Sequence, residues 1–145
     1  MKSMLDHPRT LLGFDFGLSR IGIAVGQELT ATARPLTTLT SQQQRPDWSA
    51  IGRIIEEWQP DLAIVGIPRH ADGSASEMTT AALRFSRQLA GRYHLAIDTI
   101  DERLSSVAAE AFIAQAGQLN QRRRRDRCTI DQVAAALILE SWFNR

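Results

Sequence analysis

The chain has 145 residues, 43% of them hydrophobic and 23% charged, which fits one compact domain and leaves no room for two ordinary ones. A single cysteine, Cys128, excludes an internal disulfide, and with only three scattered histidines it also excludes a standard structural zinc site. The net charge of +1 hides an uneven make-up: Lys2 is the only lysine among 17 basic residues, and Arg122, Arg123, Arg124, Arg125 and Arg127 fall within six positions.

In chain order, residues 1–10 read as a flexible lead-in to a single domain spanning 1–145. Their sequence, MKSMLDHPRT, has no apolar signal core. Leu11–Phe16 reads as a strand with Leu12, Phe14 and Phe16 on one face and Gly13 and Asp15 on the other. Gly17-Leu18-Ser19-Arg20 reads as a turn. Ile21–Gly26 follows as a second strand, with Ile21, Ile23 and Val25 alternating with Gly22 and Ala24. Pro35–Thr40 reads as a third. Three strands with short links predict an antiparallel meander.

The period then changes. Trp48, Ile51, Ile55 and Trp58 recur at helical spacing behind a capping Asp47, and Pro60 stops that helix. The unbroken apolar run Leu62–Ile67 is typical of a strand covered on both faces in a parallel sheet. Met78, Ala81, Ala82, Phe85 and Leu89 form the next helical stripe, Leu95–Ile100 the next strand, and Leu104–Gln115 a further helix. The arginine run follows as a loop. A last helix is expected from Thr129, where Thr129-x-x-Gln132 fits a capping box, with Ile130, Val133, Ala134, Leu137 and Ile138 inward. The order βββαβαβα-loop-α predicts a mixed α/β sheet with helices on both faces, and it fits the ribonuclease H-like fold closely. The longest apolar runs, Leu62–Ile67 and Ala134–Leu139, are too short to span a bilayer, so a cytoplasmic protein with no membrane contact is expected.

Four clusters could carry chemistry. Asp15 lies inside an apolar strand, where an uncompensated carboxylate is costly. Gly13 and Gly17 beside it would let a ligand approach. The plainer alternative is that Asp15 bonds a turn or pairs with Arg20. Gly66-Ile67-Pro68-Arg69 and Asp72-Gly73-Ser74 follow the buried strand, where open α/β sheets place ligands and where a helix N-terminus attracts anions. A simple capped turn accounts for them equally well. Asp101-Glu102-Arg103 ends the next strand, and Asp131 falls in the expected first turn of the last helix, where the helix dipole alone would favour an acid. Taken together, Asp15, Glu102 and Asp131 come from two strands and one helix and would converge as a hard oxygen site suited to Mg²⁺ or Mn²⁺. Asp101 ranks below them.

These motifs resemble those of the YqgF/RuvX family, the Holliday-junction resolvase-like proteins also described as pre-16S rRNA processing nucleases. The matching residues are Gly13-Phe14-Asp15-Phe16-Gly17 with Arg20-Ile21-Gly22-Ile23-Ala24, then Gly66-Ile67-Pro68, Asp72-Gly73-Ser74, Asp101-Glu102-Arg103-Leu104-Ser105, Ala109-Glu110 and Asp131-x-x-Ala134-Ala135-x-Leu137-Ile138-Leu139. The resemblance covers nearly the whole chain. It implies a ribonuclease H-like fold and a cytoplasmic bacterial nuclease that trims the 5′ end of the small-subunit rRNA precursor, with Asp15, Glu102 and Asp131 as its acidic site. The segment before Asp131 often mixes lysine and arginine in that family, whereas here it is all arginine.

The leading expectation is therefore a nuclease that hydrolyses phosphodiester bonds with two divalent ions, the acids serving as ligands. Arg20, Arg69, Arg103 and Arg122, Arg123, Arg124 and Arg125 would hold the nucleic-acid backbone, although a GC-rich genome would also enrich arginine. The protein is expected as a monomer or weak homodimer, with an RNA precursor or ribosome assembly intermediate as partner. Resolution of branched DNA is the second reading and would need a dimer. A non-catalytic assembly factor is the third. A nucleotide phosphotransferase, suggested by Asp15-x-Gly17, would need a second domain that this length does not supply.

Overall fold

Residues 8–102 and 126–145 are described by the computed structural model, with side chains described for 8–102 and 130–145. The expected helix Leu104–Gln115, Arg103 and the arginine run Arg122–Arg125 lie outside the described residues. Strands β1 (Thr10–Phe16), β2 (Arg20–Gln27) and β3 (Thr32–Thr40) form the meander. Helix α1 (Trp48–Trp58) leads to β4 (Leu62–Ile67), α2 (Glu77–Tyr93) leads to β5 (Ile97–Asp101), and α3 spans Asp126–Phe143.

The strands form one five-stranded sheet in the order β3-β2-β1-β4-β5. The pairs within the meander are antiparallel, and β4 runs parallel to both β1 and β5. β1 is thus central, as the element order requires. Pro35 is accommodated because β3 is an edge strand, and a register shift opposite Ile23 and Ala24 lets the strand pass it.

Side-chain alternation divides the sheet into two unlike faces. Leu12, Phe14 and Phe16 join Ile21, Ile23, Val25, Ala63, Val65 and Ile67 in a core under α1 and α2. On the other face Leu11, Ala24, Leu62 and Ile64 meet Ala135, Ala136, Ile138, Leu139 and Trp142 of α3. The second face carries a strip of glycines. A methyl group at Gly22 would collide with the Asp131 carbonyl, one at Gly66 with the Ile138 side chain, and one at Gly13 would lie 2.7 Å from Leu139 Cγ and 2.8 Å from the Ala135 carbonyl. The absent side chains let α3 lie directly on the strands.

The helix ends follow local rules. Asp47 accepts from the Ala50 amide at 3.1 Å to open α1, and Gln59, in the left-handed region at φ 48°, closes it ahead of Pro60. Ser76 and Thr79 form a reciprocal capping box on α2.

Three expectations are corrected. α3 begins at Asp126, not Thr129, so the Thr129-x-x-Gln132 pattern lies within the helix and Asp131 sits in its second turn. Its buried residues are Val133, Ala135, Ala136, Ile138, Leu139 and Trp142, whereas Ile130, Ala134 and Leu137 are only partly covered. The helix is apolar around most of its circumference there, so spacing could not select a face; the glycine strip does. β5 starts at Ile97, where its pairing with Ala63 begins, and it includes Asp101.

Two glycine substitutions should move stability in opposite directions. Gly22→Ala should destabilise by about 1–3 kcal/mol, the usual cost of overpacking. Gly91→Ala, in α2 with nothing within 4 Å of the added methyl, should stabilise by about 0.5–1 kcal/mol. Denaturant midpoints of the two variants measure this, and a wild-type midpoint for Gly22→Ala would mean that α3 does not rest on Gly22.

Candidate active site

Asp15 owes its position to the alternation of β1. Its neighbours Phe14 and Phe16 point into the core under α2, so Asp15 points to the α3 face, opposite Gly22 in the β1–β2 register. Gly22 is where the backbone of Asp131 presses on the sheet. The missing side chain at 22 therefore brings the second turn of α3 beside Asp15. Glu102 follows the last residue of β5, and its carboxyl carbon would be 3.5 Å from a methyl at Gly66 on the same face. Two glycines thus mark the places where the second and third acids approach.

The electrostatics reflect this crowding. The Asp15 carboxyl is pushed well above the usual carboxylate range, chiefly by burial, then by a hydrogen bond with Glu102 and by the negative charges of Glu102 and Asp131. Asp131 is held by Arg20, whose Nε donates to Asp131 Oδ2 at 2.7 Å across 111 positions of sequence. Arg20, offered by the sequence as a partner for Asp15, thus holds the third acid. Among the described residues, no three His, Cys, Asp or Glu side chains already stand in a metal-holding group. The arrangement is one acid hydrogen-bonded to a second while a third is held by a guanidinium.

Other sequence candidates fall elsewhere. Asp101 pairs with Ile67, whose side chain belongs to the core under α2, so its register position is on the face opposite Asp15. Arg69 is exposed in the loop after β4. Asp72 closes a turn of its own, its Oδ1 accepting from the Ser74 amide at 2.9 Å and hydroxyl at 2.6 Å. The start of α2 is served by its own capping box. Gly13 and Gly17, expected to admit a ligand, have other roles: Gly13 seats Leu139, and a methyl at Gly17 would stand 2.7 Å from the Arg20 carbonyl across the β1–β2 turn. Gly22 and Gly66 are the positions whose importance the motifs concealed. Their signal was a glycine inside a run of apolar strand residues.

Comparison with known proteins follows the same lines. Residues 9–145 match the family model RuvX, described as Holliday junction resolvase. A protein of Proteus mirabilis named "Putative pre-16S rRNA nuclease" is 47% identical over 137 residues, covering 94% of this chain and 96% of that protein. A protein of the same name from Nitrosococcus oceani is 49% identical over 138 residues, covering 95% and 88%. Among solved structures, Thermus thermophilus RuvC in complex with a Holliday junction substrate superposes with a TM-score of 0.56 at 16% identity, covering 94% and 96% of the two chains. The fowlpox virus resolvase in complex with its substrate Holliday junction superposes with a TM-score of 0.54 at 12% identity, covering 93% and 97%. At those identities the likeness is one of fold, and it is the ribonuclease H-like fold that the element order predicted.

The raised Asp15 carboxyl has a measurable consequence in metal-free protein. Its folded-state pKa lies above the unfolded value of 3.8, so the folded state binds more protons in the window above that value, and stability falls as pH rises through it. Asp15→Asn cannot titrate there. Its melting temperature should exceed that of wild type at pH 7, and the difference should vanish as pH falls to about 3.8. Parallel curves from pH 3 to 8 would show that Asp15 is not crowded by its neighbours.

Proposed function

Because the chain belongs to the RuvX Holliday junction resolvase family, we propose that it is a divalent-metal-dependent nuclease acting on the 16S rRNA precursor, with Asp15, Glu102 and Asp131 as its acidic site. The observation that supports this most is the meeting of three carboxylates from β1, the end of β5 and α3 on one face, with Asp15 pushed toward protonation. Burying acids together is unfavourable unless something positive joins them. A donor set made only of carboxylate oxygens suits Mg²⁺ or Mn²⁺ and no softer ion.

A bound divalent ion would supply positive charge for the attacking and leaving oxygens of the phosphodiester. The side chains do the rest. Asp15 would give up its proton, and Asp15 and Glu102 would act as ligands, not as general bases. Asp131 would turn an oxygen toward them as Arg20 releases it. Arg20 would also meet a substrate phosphate at the same edge. Arg69, Arg103 and Arg122, Arg123, Arg124 and Arg125 would add contacts along the backbone. A cytoplasmic site of action follows from an rRNA precursor as substrate, and no described helix is long and apolar enough to cross a membrane.

The purified protein should cleave a pre-16S 5′ leader in Mg²⁺ or Mn²⁺, lose cleavage in EDTA and regain it on adding the ion back. Asp15→Asn, Glu102→Gln and Asp131→Asn should each lower the rate by about 10³-fold or more while remaining folded, and the double variants should be little worse, because the acids act as one unit. A folded Asp15→Asn that cleaves at the wild-type rate would remove the acidic site from the account. A branched DNA junction in parallel separates the two substrates: cleavage of the junction alone would favour the resolvase reading.

A further inference from the structure

On the other side of the β1–β2 turn from the acids lies a groove of about 380 Å³ between α2 and the loop before α1. Its wall on α2 is the row Arg84, Gln88 and Arg92, all exposed and four residues apart. Arg45 and Pro46 form the opposite wall, and among the described residues no Asp or Glu lines it. The floor is an aromatic column: Phe16 stacks on Phe85 at 4.9 Å, Trp48 stacks on Phe85 at 5.5 Å, and the Arg92 guanidinium lies 4.4 Å from the Trp48 ring centre. Leu18 is at the mouth, 37% exposed, in the turn that joins Asp15 and Phe16 to Arg20.

The loop wall is held in an uncommon shape. Gln43 and Gln44 both take left-handed backbone, at φ 51° and 63°. They are closed by reciprocal bonds between the Gln42 amide and Arg45 carbonyl at 3.2 Å and the Arg45 amide and Gln42 carbonyl at 2.8 Å. Glycine or asparagine normally fills such a turn. The Ser41 amide also donates to the Ser19 carbonyl at 2.8 Å, tying this loop to the turn beside the acids.

We propose that this groove holds a single-stranded segment of the RNA substrate, its phosphates on Arg45, Arg84 and Arg92 and its path leading over Leu18 to the acidic site. The choice of occupant rests on the nuclease reading above. The charge does not: in a chain of net charge +1, a groove whose described lining has three arginines and no acid suits a polyanion. Arg84 and Arg92 are about 12 Å apart along the helix axis. Phosphates of a stacked strand rise about 3.4 Å per nucleotide, so the two arginines are separated by three to four nucleotides. Stacking a second copy of the chain on this face would set arginine rows against each other. Phosphate recognition along a groove beside apolar side chains is the usual design for an unpaired strand.

The test measures affinity without cleavage, in EDTA, for an RNA hairpin with and without a twelve-nucleotide unpaired tail. Arg84→Glu with Gln88→Glu reverses the rail while leaving Arg92 on Trp48. The variant should bind the tailed hairpin at least tenfold more weakly than wild type, with a salt slope lowered by about 0.7 per lost phosphate contact, and should bind the tailless hairpin like wild type. Unchanged affinity for the tailed hairpin overturns the proposal. So does equal weakening with and without the tail, or a wild-type preference for a DNA tail over an RNA tail. A wild-type dimer in sedimentation that the variant dissolves would give the groove to a second copy and overturn it too. Because nothing is cleaved in these assays, failure of the nuclease reading would show separately, as intact binding by a protein that cuts nothing in Mg²⁺.

Discussion

The contact on which the rest depends is the seating of α3 on Gly22. Helix and strand backbones ordinarily stand apart by the depth of two side chains. Here one of those side chains is absent, and the carbonyl of Asp131 rests where a methyl group would be. Gly13 and Gly66 repeat the arrangement for Ala135, Leu139 and Ile138. The apolar helix is thereby fixed in rotation as well as in position, with Asp131 against β2 beside Asp15. Packing and site geometry are in this sense one constraint: the close-packed interior that stabilises α3 also sets the separation of the acids.

That placement opposes stability locally. Asp15 is half-buried among negative neighbours, and its carboxyl is driven toward the neutral form. The protein offsets the cost in two ways, by a shared hydrogen bond between Asp15 and Glu102 and by the Arg20–Asp131 ion pair. On the proposed reading, a cation would take over both roles. Groups arranged at a cost to the fold are where function is expected to reside.

How much of this was legible in the sequence depended on how unlike the two faces of each element are. β1 could be read residue by residue, because Leu12, Phe14 and Phe16 contrast with Gly13 and Asp15. β2 was legible for the same reason. β4 was legible as an element, but its run of apolar residues did not tell which face Gly66 served, and only the contact with Ile138 and Glu102 gives that glycine a purpose. α3 was legible least. Its Val133–Leu139 run is apolar on every side, so the buried stripe was misassigned and the start was placed three residues late. The acids themselves stood out because a carboxylate within an apolar strand has few ordinary explanations, and strand register adds that Asp101 lies on the face opposite Asp15. Arg20 was expected to hold nucleic acid, and its bond to Asp131, 111 positions away, has no local signature.

The account stands on the claim that Asp15, Glu102 and Asp131 jointly hold a divalent ion. Crystals soaked in Mn²⁺ and measured at the manganese absorption edge would test it most directly. An anomalous peak about 2.0–2.2 Å from oxygens of Asp15 and of at least one other of the three acids, with Arg20 turned away from Asp131, is the predicted result. Manganese bound elsewhere, or none at all with Arg20 still on Asp131, would contradict it.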